Sequence, residues 1–582
     1  MECETARCIH GMFEDRAARA PDAEAAVDAT SHLRYGELNA RANRLARHLR
    51  EIGVGSGARV GIYMHRSVGM LEAIFAIFKA GAAYVPMDPT YPAQRLRDMA
   101  EDARPFAVLA DAIGLRALAA MWSEVLGRDA IGRDDRFLAL GDDSPRLIQL
   151  ASRIRATFAI DLHVQALFAS RNLADMAEMI DRETGVGRDD DRTDTDEGGF
   201  DHWMPPDPLP ARAPLSYQQS GLWLLERLSS TSIACNAQNV IRIRGAFDAE
   251  RLRRAVARLA QRHEILRTTF HDDTRGDGDG EPYQVVHDLS MHDLSVHADV
   301  PDMFSYRELD APPSDATLSA LIETEISRVF DLARLPLLRF ALFKLAPEDF
   351  LLIQVEQHYV HDGWSMNLLL RELLALYEAD ADEALPPPAA QYREYALWQR
   401  SEAAQARFMA QATYWKRKLE GVSLELPLRT DFPRPAVPCY AGDQVRAVLP
   451  QALSRALRAF CRDEGVTLFA AMQAAYRMTI AHFAGSDDFL IGSAVGNRVW
   501  RKSESMVGMF VNMIPTRCDL SGDPTYRALI ERTTADLAEG YANQEAPFEW
   551  VVREAHPQRE FARNPLFQTA FSTHNSPGLR LE

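Results

Sequence analysis

FLLIQVEQHYVHDGWSMNLLLRELL, running from Phe350 to Leu374, is the stretch of sequence around which the chain is organised. Its first part, Phe350–Val355, is a short run of apolar and β-branched residues, which predicts a buried strand. The dipeptide Asp362-Gly363 is a turn signal. After Trp364 the apolar residues recur at helical spacing, which predicts a helix that begins at the turn; they are Met366, Leu369, Leu370, Leu373 and Leu374.

The predicted strand places His358 near its end, just before the predicted helix. An imidazole can accept or donate a proton near neutral pH, so this position suits acid–base chemistry. Two other interpretations remain open from these residues alone. His358 and His361 can simply fill a loop, or they can bind a metal together with Asp362, although two histidines without a further ligand cluster are a weak metal signal.

The heptapeptide QHYVHDG resembles the active-site signature HHxxxDG of nonribosomal peptide synthetase condensation domains. In this resemblance His358 takes the place of the second, catalytic histidine, and Asp362 and Gly363 match the signature directly. Gln357 stands where the family has its first histidine, a position usually treated as structural. The resemblance therefore implies a catalytic His358, with Gly363 allowing the backbone to approach the substrate closely.

Two more residues take roles from the same resemblance. Arg498, in the segment GNRVW, is the family-equivalent partner for Asp362, since a buried aspartate without a counter-charge would be costly. Asn512, in the segment VGMFVNMIPTR, is expected to face the active-site tunnel, or alternatively to tie strands together as a buried amide.

Six further segments resemble condensation motifs and occur in the family's order. We therefore expect two chloramphenicol-acetyltransferase-like α/β lobes with a tunnel between them, a first lobe over residues 214–395 and a second over residues 396–582. Because the family continues beyond its seventh motif, we expect the second lobe to be incomplete. The segments are Pro214–Leu228, Arg262–Phe270, Tyr392–Arg400, Val507–Arg517, Asn543–Glu549 and Arg563–Phe571.

Residues 113–183 predict a small helical bundle, with Ser144 and Pro145 at the start of its second helix. Taken alone, Ser144 is an ordinary helix cap. The segment FLALGDDS, however, resembles the LGGxS signature of peptidyl carrier proteins, whose serine receives 4′-phosphopantetheine. Asp142 replaces the usual second glycine and Pro145 replaces the usual leucine or isoleucine. The resemblance implies that Ser144 carries this cofactor.

Residues 1–112 alternate helix and strand patterns, which predicts an α/β unit. The predicted helices are Tyr35–Leu49 and Ser67–Lys79, and the predicted strands are Arg59–Met64 and Phe106–Ala110. Two segments, YGELNARANRLARHLR and LEAIFAIFKAGAAYVPMDPTYPAQRL, resemble the first core motifs of amino-acid adenylation domains. The chain has no Gly- and Ser/Thr-rich loop with a lysine to hold ATP phosphates. We interpret the unit as a truncated remnant that cannot activate an amino acid.

Composition limits the remaining possibilities. Residues 184–213 are acidic and rich in Gly and Pro, which predicts a flexible linker. The net charge of −18 over 582 residues argues against nucleic acid and anionic membranes as partners. No apolar run reaches membrane-spanning length and no signal peptide begins the chain, so we expect a cytoplasmic protein. The dispersed cysteines indicate reduced thiols: Cys3, Cys8, Cys235, Cys439, Cys461 and Cys518.

These resemblances imply that Ser144 presents a donor acyl or peptidyl group and that the condensation region joins it to a downstream amine. The implied partners are a downstream acceptor carrier domain, an upstream module or trans-acting adenylation enzyme, and a phosphopantetheinyl transferase. Three alternatives remain. An epimerisation domain shares the His-x-x-x-Asp-Gly element, but its EGHGRE motif is absent. The others are a catalytically inactive docking platform, favoured by Gln357, and a stand-alone acyltransferase that uses a soluble amine.

Overall fold

The computed structural model divides the chain into two compact units, Met1–Ala120 and Met121–Glu582. None of the helices in its described part combines the length and apolar character that crossing a membrane requires. The structure describes residues 9–573 except for 28–31, 65–67, 88–98, 100–102, 104, 111–112, 127, 129–130, 133–134, 138–143, 159–165, 168–169, 171, 186–198, 229–232, 273–280, 289–302, 380–384, 436–441 and 556–562.

The first unit is an α/β structure, as its alternating pattern predicts. Strands in the order β4-β3-β5 form a parallel sheet, and β1 pairs with β2 in an antiparallel ladder. The two helices that follow β2 and β3 bury their apolar faces, which explains why each begins and ends close to its predicted bounds. The elements are α1 (Ile9–Arg19), β1 (Glu24–Val27), β2 (His32–Arg34), α2 (Tyr35–Glu51), β3 (Arg59–Tyr63), α3 (Val68–Ala80), β4 (Ala83–Pro86) and β5 (Ala107–Ala110).

The carrier region is helical, again as predicted. Its helices bury apolar residues at helical spacing, including Trp122, Leu150 and Ile180. The residues 138–143 that precede Ser144 lie outside the described residues. The helices are α4 (Ile113–Leu126), within which the boundary between the two compact units falls, α5 (Ser144–Phe158) and α6 (Leu173–Gly185).

The end of the predicted linker is ordered, so that prediction is wrong for residues 199–213. Phe200 is only 1% exposed and lies in the core of the condensation region, where its ring contacts those of Tyr395 and Trp398. Both carboxylate oxygens of Asp201 accept hydrogen bonds, from the backbone N–H groups of residues 501 and 502. One buried aromatic side chain and one capping carboxylate fix this segment despite its polar composition. Residues 186–198 lie outside the described residues.

The first lobe is built on a sheet in the order β10-β11-β12-β7. Strand β12 lies between antiparallel neighbours and is buried from Phe350 to Gln357, which agrees with its continuous apolar run. A second, antiparallel sheet has the order β6-β9-β8. The elements are β6 (Arg212–Pro214), α7 (Tyr217–Leu228), β7 (Asn236–Arg244), α8 (Ala249–Arg262), β8 (Thr268–His271), β9 (Tyr283–Val286), β10 (Phe304–Glu308), α9 (Asp315–Ile326), β11 (Leu338–Ala346), β12 (Asp349–Gln357) and α10 (Gly363–Glu378), with a 3₁₀ turn at Glu264–Arg267.

The second lobe has the sheet order β14-β13-β15. The predicted boundary between residues 395 and 396 does not separate the two cores, because Trp398, Phe408, Trp500 and Phe510 pack into the first core. The elements are α11 (Tyr392–Trp398), α12 (Glu402–Leu419), α13 (Gln451–Glu464), α14 (Leu468–Ala484), β13 (Asp488–Val495), α15 (Arg501–Glu504), β14 (Asn512–Asp519), α16 (Tyr526–Ala542), α17 (Phe548–Ala555) and β15 (Ala570–Phe571).

Candidate active site

The candidate site lies where β12 ends and α10 begins. Strand β12 ends at Gln357, His358 follows directly, and α10 starts at Gly363. The side chain of Asp362 caps this helix by accepting a hydrogen bond of 2.7 Å from the Ser365 N–H. A buried central strand and a capped helix therefore hold His358 between two fixed elements.

The hydrogen bonds of His358 determine which ring nitrogen carries the proton. Its Nδ1 lies 2.9 Å from the carbonyl oxygen of His361. A carbonyl oxygen can only accept, so Nδ1 must donate and the Nε2 of the neutral ring has a free lone pair. The His358 backbone N–H donates to the Cys235 carbonyl at 2.9 Å, and the side chain is half-buried. His358 therefore has the tautomer that a proton acceptor at Nε2 needs.

His361 and Glu356 are close to His358 in the chain, and both side chains are buried. Burial, with a smaller contribution from the His358 charge, lowers the pKa of His361 to about 3, so this ring is neutral. Its Nδ1 donates to the Gln357 carbonyl at 3.2 Å. Burial raises the pKa of Glu356 to about 8, so its carboxyl group is protonated at neutral pH. Glu356 Oε1 lies 3.7 Å from His361 Nε2, and because both groups are uncharged this contact is not an ion pair.

Asp362 and Arg498 form the buried pair that the resemblance implies. Arg498 Nη2 lies 2.9 Å from Asp362 Oδ1, and the two side chains are 4% and 0% exposed. The other carboxylate oxygen, Oδ2, accepts from the Phe510 N–H at 3.1 Å. Burial would raise the pKa of Asp362, but the Arg498 charge and the hydrogen bonds from Ser365 hold it below its ordinary value. The carboxylate is therefore ionised and has no unused oxygen.

The same network joins the two lobes. Arg498 Nη1 donates to the carbonyl of Met506 at 2.7 Å and also to that of Ser503. Ser365 Oγ accepts from the Gly508 N–H at 3.0 Å and lies 2.9 Å from the Gly508 carbonyl. The start of α10 is thus hydrogen-bonded to the second lobe. We call this hydrogen-bonded set the clamp; it consists of Asp362, Ser365, Arg498 and residues 503–510.

Gln357, at the family's first histidine position, is buried and hydrogen-bonds to the backbone of His358. Its Oε1 accepts the His358 backbone N–H at 2.6 Å. The N–H of Gln357 itself donates to the Leu337 carbonyl at 2.9 Å. A side-chain acceptor at this position therefore orients the backbone of His358, which is compatible with a structural role.

The two remaining residues of the condensation motifs differ in exposure. Asn512 is 4% exposed, and its Nδ2 donates to the carbonyls of Gln544 and Ala546 at 2.8 and 2.7 Å. This geometry supports the buried-amide alternative over the tunnel-facing one. Gly363 is exposed as the first residue of α10.

The metal alternative does not fit these contacts. Both oxygens of Asp362 accept from protein donors, and Nδ1 of each histidine donates to a carbonyl. Across the described part of the chain, no group of three or more His, Cys, Asp and Glu side chains has the arrangement of a metal site. None of the described cysteines Cys235, Cys461 and Cys518 forms a disulfide bond.

Comparison with known families accounts for this geometry. The family model described as "Condensation domain" matches residues 211–581. The chain belongs to the condensation-domain family. Upstream, the models "AMP-binding enzyme" and "Phosphopantetheine attachment site" match residues 13–145 and 116–180. The chain therefore combines an AMP-binding fragment, a carrier and a condensation domain, the arrangement of a nonribosomal peptide synthetase, and this prediction is confirmed.

Relatives of the chain are large synthetases. A linear gramicidin synthase polypeptide of Brevibacillus parabrevis is 35% identical over 461 residues, which is 79% of this chain and 8% of that protein. Phosphinothricin tripeptide synthetase PhsB of Streptomyces viridochromogenes is 33% identical over 465 residues, 79% of this chain and 37% of that protein. The chain thus spans well under half of each of these relatives.

Solved structures share the fold of the condensation region. The X-domain from teicoplanin biosynthesis aligns with a TM-score of 0.54 at 26% identity, covering 64% of this chain and 79% of that one. The first condensation domain of the CDA synthetase aligns with a TM-score of 0.52 at 19% identity, covering 62% and 80%, and shows the fold alone. The prediction of a two-lobed chloramphenicol-acetyltransferase-like fold is confirmed.

The carrier match indicates a 4′-phosphopantetheine prosthetic group. Ser144, for which the sequence predicts this attachment, is the first residue of α5. The apolar side chains of this helix at positions 147, 150 and 154 are fully buried, so the helix is anchored by its body. A serine at the start of a helix held in this way fits the group.

The sequence analysis does not identify two residues of the site, Ser365 and Glu356. Ser365 connects Asp362 to Gly508, and Glu356 Oε1 lies 3.7 Å from His361 Nε2. Ser365 stands three residues after an N-cap aspartate, where an N–H partner is expected, so capping rules could have identified it. A glutamate inside an otherwise apolar run was the available signal for Glu356.

Proposed function

We propose that the condensation domain joins an acyl group presented on Ser144 to an acceptor amine, forming an amide bond. The observation that carries this proposal is the tautomer of His358, whose Nδ1 is committed to the His361 carbonyl while Nε2 remains free to accept a proton. His358 is also half-buried, whereas His361 is not accessible. We assign His358 as the catalytic residue.

The reaction requires a nucleophilic amine. 4′-Phosphopantetheine, when attached to Ser144, supplies a thioester on a long arm. His358 Nε2 orients the acceptor amine and takes its proton as the new C–N bond forms and the C–S bond breaks. The thiolate leaves with the electron pair of the C–S bond and receives a proton. Bringing both reactants to one histidine makes the step effectively intramolecular, which supplies much of the rate.

Asp362, Arg498 and Gln357 act on the reaction through His358. The clamp fixes the start of α10, and the Gln357 amide holds the backbone of His358 at the end of β12. Because these groups are buried and already hydrogen-bonded, we assign them positioning roles. Gly363 is exposed at the start of α10, and we assign it the close approach of backbone and substrate that the family signature implies.

The order of domains supports a donor role for the carrier. A carrier upstream of a condensation domain presents the donor, so the acceptor amine is expected on a downstream acceptor carrier domain. Loading of Ser144 is expected from an upstream module or a trans-acting adenylation enzyme, after modification by a phosphopantetheinyl transferase. These partners are part of the proposal, as is a cytoplasmic location.

Intact-mass analysis tests the proposal. The full chain is treated with a phosphopantetheinyl transferase and aminoacyl-coenzyme A, then mixed with an aminoacyl acceptor carrier. Amide formation should slow by about 10²–10⁴-fold in His358→Ala, as expected when a general base is removed. The matched control is His482→Ala, which makes the same change at an exposed histidine of α14 and should transfer at the parent rate.

The other outcomes would either refute the assignment of His358 or indicate a different function. Equal transfer in His358→Ala and the parent would refute the catalytic assignment. Transfer to a free amine without the acceptor carrier would indicate a stand-alone acyltransferase. Exchange of the α-hydrogen on the carrier-bound aminoacyl group would indicate epimerisation.

A docking platform is the second candidate, and two observations favour it. The X-domain from teicoplanin biosynthesis, in its complex with OxyB, aligns with a TM-score of 0.54 at 27% identity. Gln357 also departs from the condensation signature. No transfer from the parent or from Gln357→His, with the carrier fully loaded, would support a platform that recruits a partner to the carrier-bound intermediate.

A further inference from the structure

The carrier helix α5 makes an ion pair with the condensation domain. Arg153 Nη1 lies 3.1 Å from Glu504 Oε1, and Arg153 Nη2 lies 3.3 Å from Glu504 Oε2. The two side chains are 14% and 17% exposed. Arg153 also pairs with Glu124 of the carrier region at 3.0 Å. A two-point contact between charges so well covered is more specific than an ordinary surface ion pair.

Arg155, two residues further along the same helix, makes a second contact with the condensation domain. The guanidinium of Arg155 lies 5.3 Å from the ring centroid of Trp500, a distance typical of a cation–π interaction. Next to it is a cavity of about 250 Å³ lined by Arg155, Trp500 and neighbouring polar residues. Charged pairs around a cavity are typical of interfaces that form and separate, in contrast to a permanent apolar interface.

Glu504 is connected directly to the element that carries the catalytic motif. Its backbone carbonyl accepts a hydrogen bond of 3.0 Å from Trp364 Nε1, and Trp364 is the second residue of α10. On either side of Glu504, the carbonyls of Ser503 and Met506 are held by Arg498. The docking point therefore belongs to the clamp.

We propose that Glu504 is the docking residue of the condensation domain for its own carrier, and that Arg153 recognises it. This inference deepens the proposed function, on which it rests for its biological meaning. Because Glu504 is tied to α10 through Trp364, docking at this residue places the carrier at a fixed distance from His358. A carrier that carries an acid at the position of Arg153 would be rejected by charge repulsion.

Hydrogen–deuterium exchange of the full chain tests the contact without any substrate. Arg153→Glu and Glu504→Arg should each increase the exchange of residues 500–506 by about 5–30-fold, the effect of losing one or two kcal/mol. The double variant Arg153→Glu/Glu504→Arg restores opposite charges and should recover most of the protection. The matched control is Glu531→Arg, the same charge reversal at an exposed glutamate of α16.

Parent-like exchange in both single variants would overturn the proposal, and so would a double variant as unprotected as the singles. The experiment does not depend on amide formation. If exchange behaves as expected while no transfer is seen in the mass assay, the docking contact stands and the proposed reaction fails. If transfer occurs but exchange is unchanged, the reaction stands and the docking residue is wrong.

Discussion

Replacing Asp362 by Asn tests whether the clamp holds the active site together. The substitution keeps the size of the side chain but removes the negative charge that Arg498 faces. It also replaces one of the two oxygens by an NH₂ group, so the hydrogen bond from Phe510 or those from Ser365 and Arg498 are lost. An arginine left buried without a counter-charge costs about 3–5 kcal/mol.

Native-state hydrogen exchange measures this cost locally. The backbone N–H groups of Ser365, Gly508 and Phe510 all donate within the clamp, so their exchange reports its opening. In Asp362→Asn these amides should exchange at least about a hundredfold faster, since 1.4 kcal/mol corresponds to a factor of ten. A local measurement is preferable because a chain of several domains does not unfold in one step.

A matched control separates burial from charge. Asp488 and Arg517 form an aspartate–arginine pair with two hydrogen bonds, at 2.7 and 2.9 Å, but their side chains are 38% and 30% exposed. Asp488→Asn should therefore cost only about 0.2–1 kcal/mol, the range for pairs that water can reach. If Asp362→Asn costs no more than this control, the buried pair does not hold the site and the positioning role is wrong.

The pH at which the experiment is done follows from the direction in which the pKa of Asp362 is shifted. Its folded pKa lies below its ordinary value, so the clamp's contribution to stability is present above the ordinary range of an aspartate. That contribution is lost as the pH falls through the lowered folded value. Exchange measured between about pH 5 and 7 therefore compares an ionised parent with a neutral variant throughout.

Three further variants give expected outcomes. Ser144→Ala should gain no phosphopantetheine mass with coenzyme A and the transferase, whereas Ser170→Ala should be modified. Phe200→Ala should destabilise the condensation region by about 3–5 kcal/mol, measured on the urea transition of that region alone, because this ring is 1% exposed in an aromatic core; a solvated linker would lose almost nothing. Glu356→Gln should remove an alkaline loss of stability of about 2 kcal/mol between pH 6.5 and 8. The folded pKa of Glu356 is raised to about 8, so its stabilising contribution is present at low pH and disappears as the pH rises through that value; an unchanged alkaline slope in thermal melts would refute this.

The strand–turn–helix element could be predicted from sequence because its signals are local. The sequence predicts a strand over Phe350–Val355, and the observed strand extends over Asp349–Gln357. The helix begins within one residue of its predicted start. Apolar spacing, a turn dipeptide and a capping aspartate all act over a few residues. The family motif then supplied Arg498, which is 136 positions away and has no local signal.

The sequence does not predict that Phe200 is buried and ordered, because its burial depends on residues far away in the chain. The surrounding segment is rich in Gly, Pro and Asp, and composition alone indicates an unfolded linker. Whether a single aromatic side chain is buried depends on the pocket that receives it, here formed by Tyr395 and Trp398 almost two hundred residues later. The predicted boundary between the lobes is misplaced for the same reason, because Trp500 and Phe510 lie late in the chain but pack into the core of the first lobe.

The protonation states around the motif explain why a single histidine is available for chemistry. Burial keeps His361 neutral, with a pKa of about 3, and Glu356 protonated, with a pKa of about 8. Asp362 is ionised, but Arg498 and two backbone N–H groups occupy both of its oxygens. His358 differs from all three because it is half-buried and its hydrogen bond to the His361 carbonyl uses Nδ1 and not Nε2. Of the four ionisable side chains in this motif, His358 is therefore the one to which the proposed function assigns contact with the incoming amine.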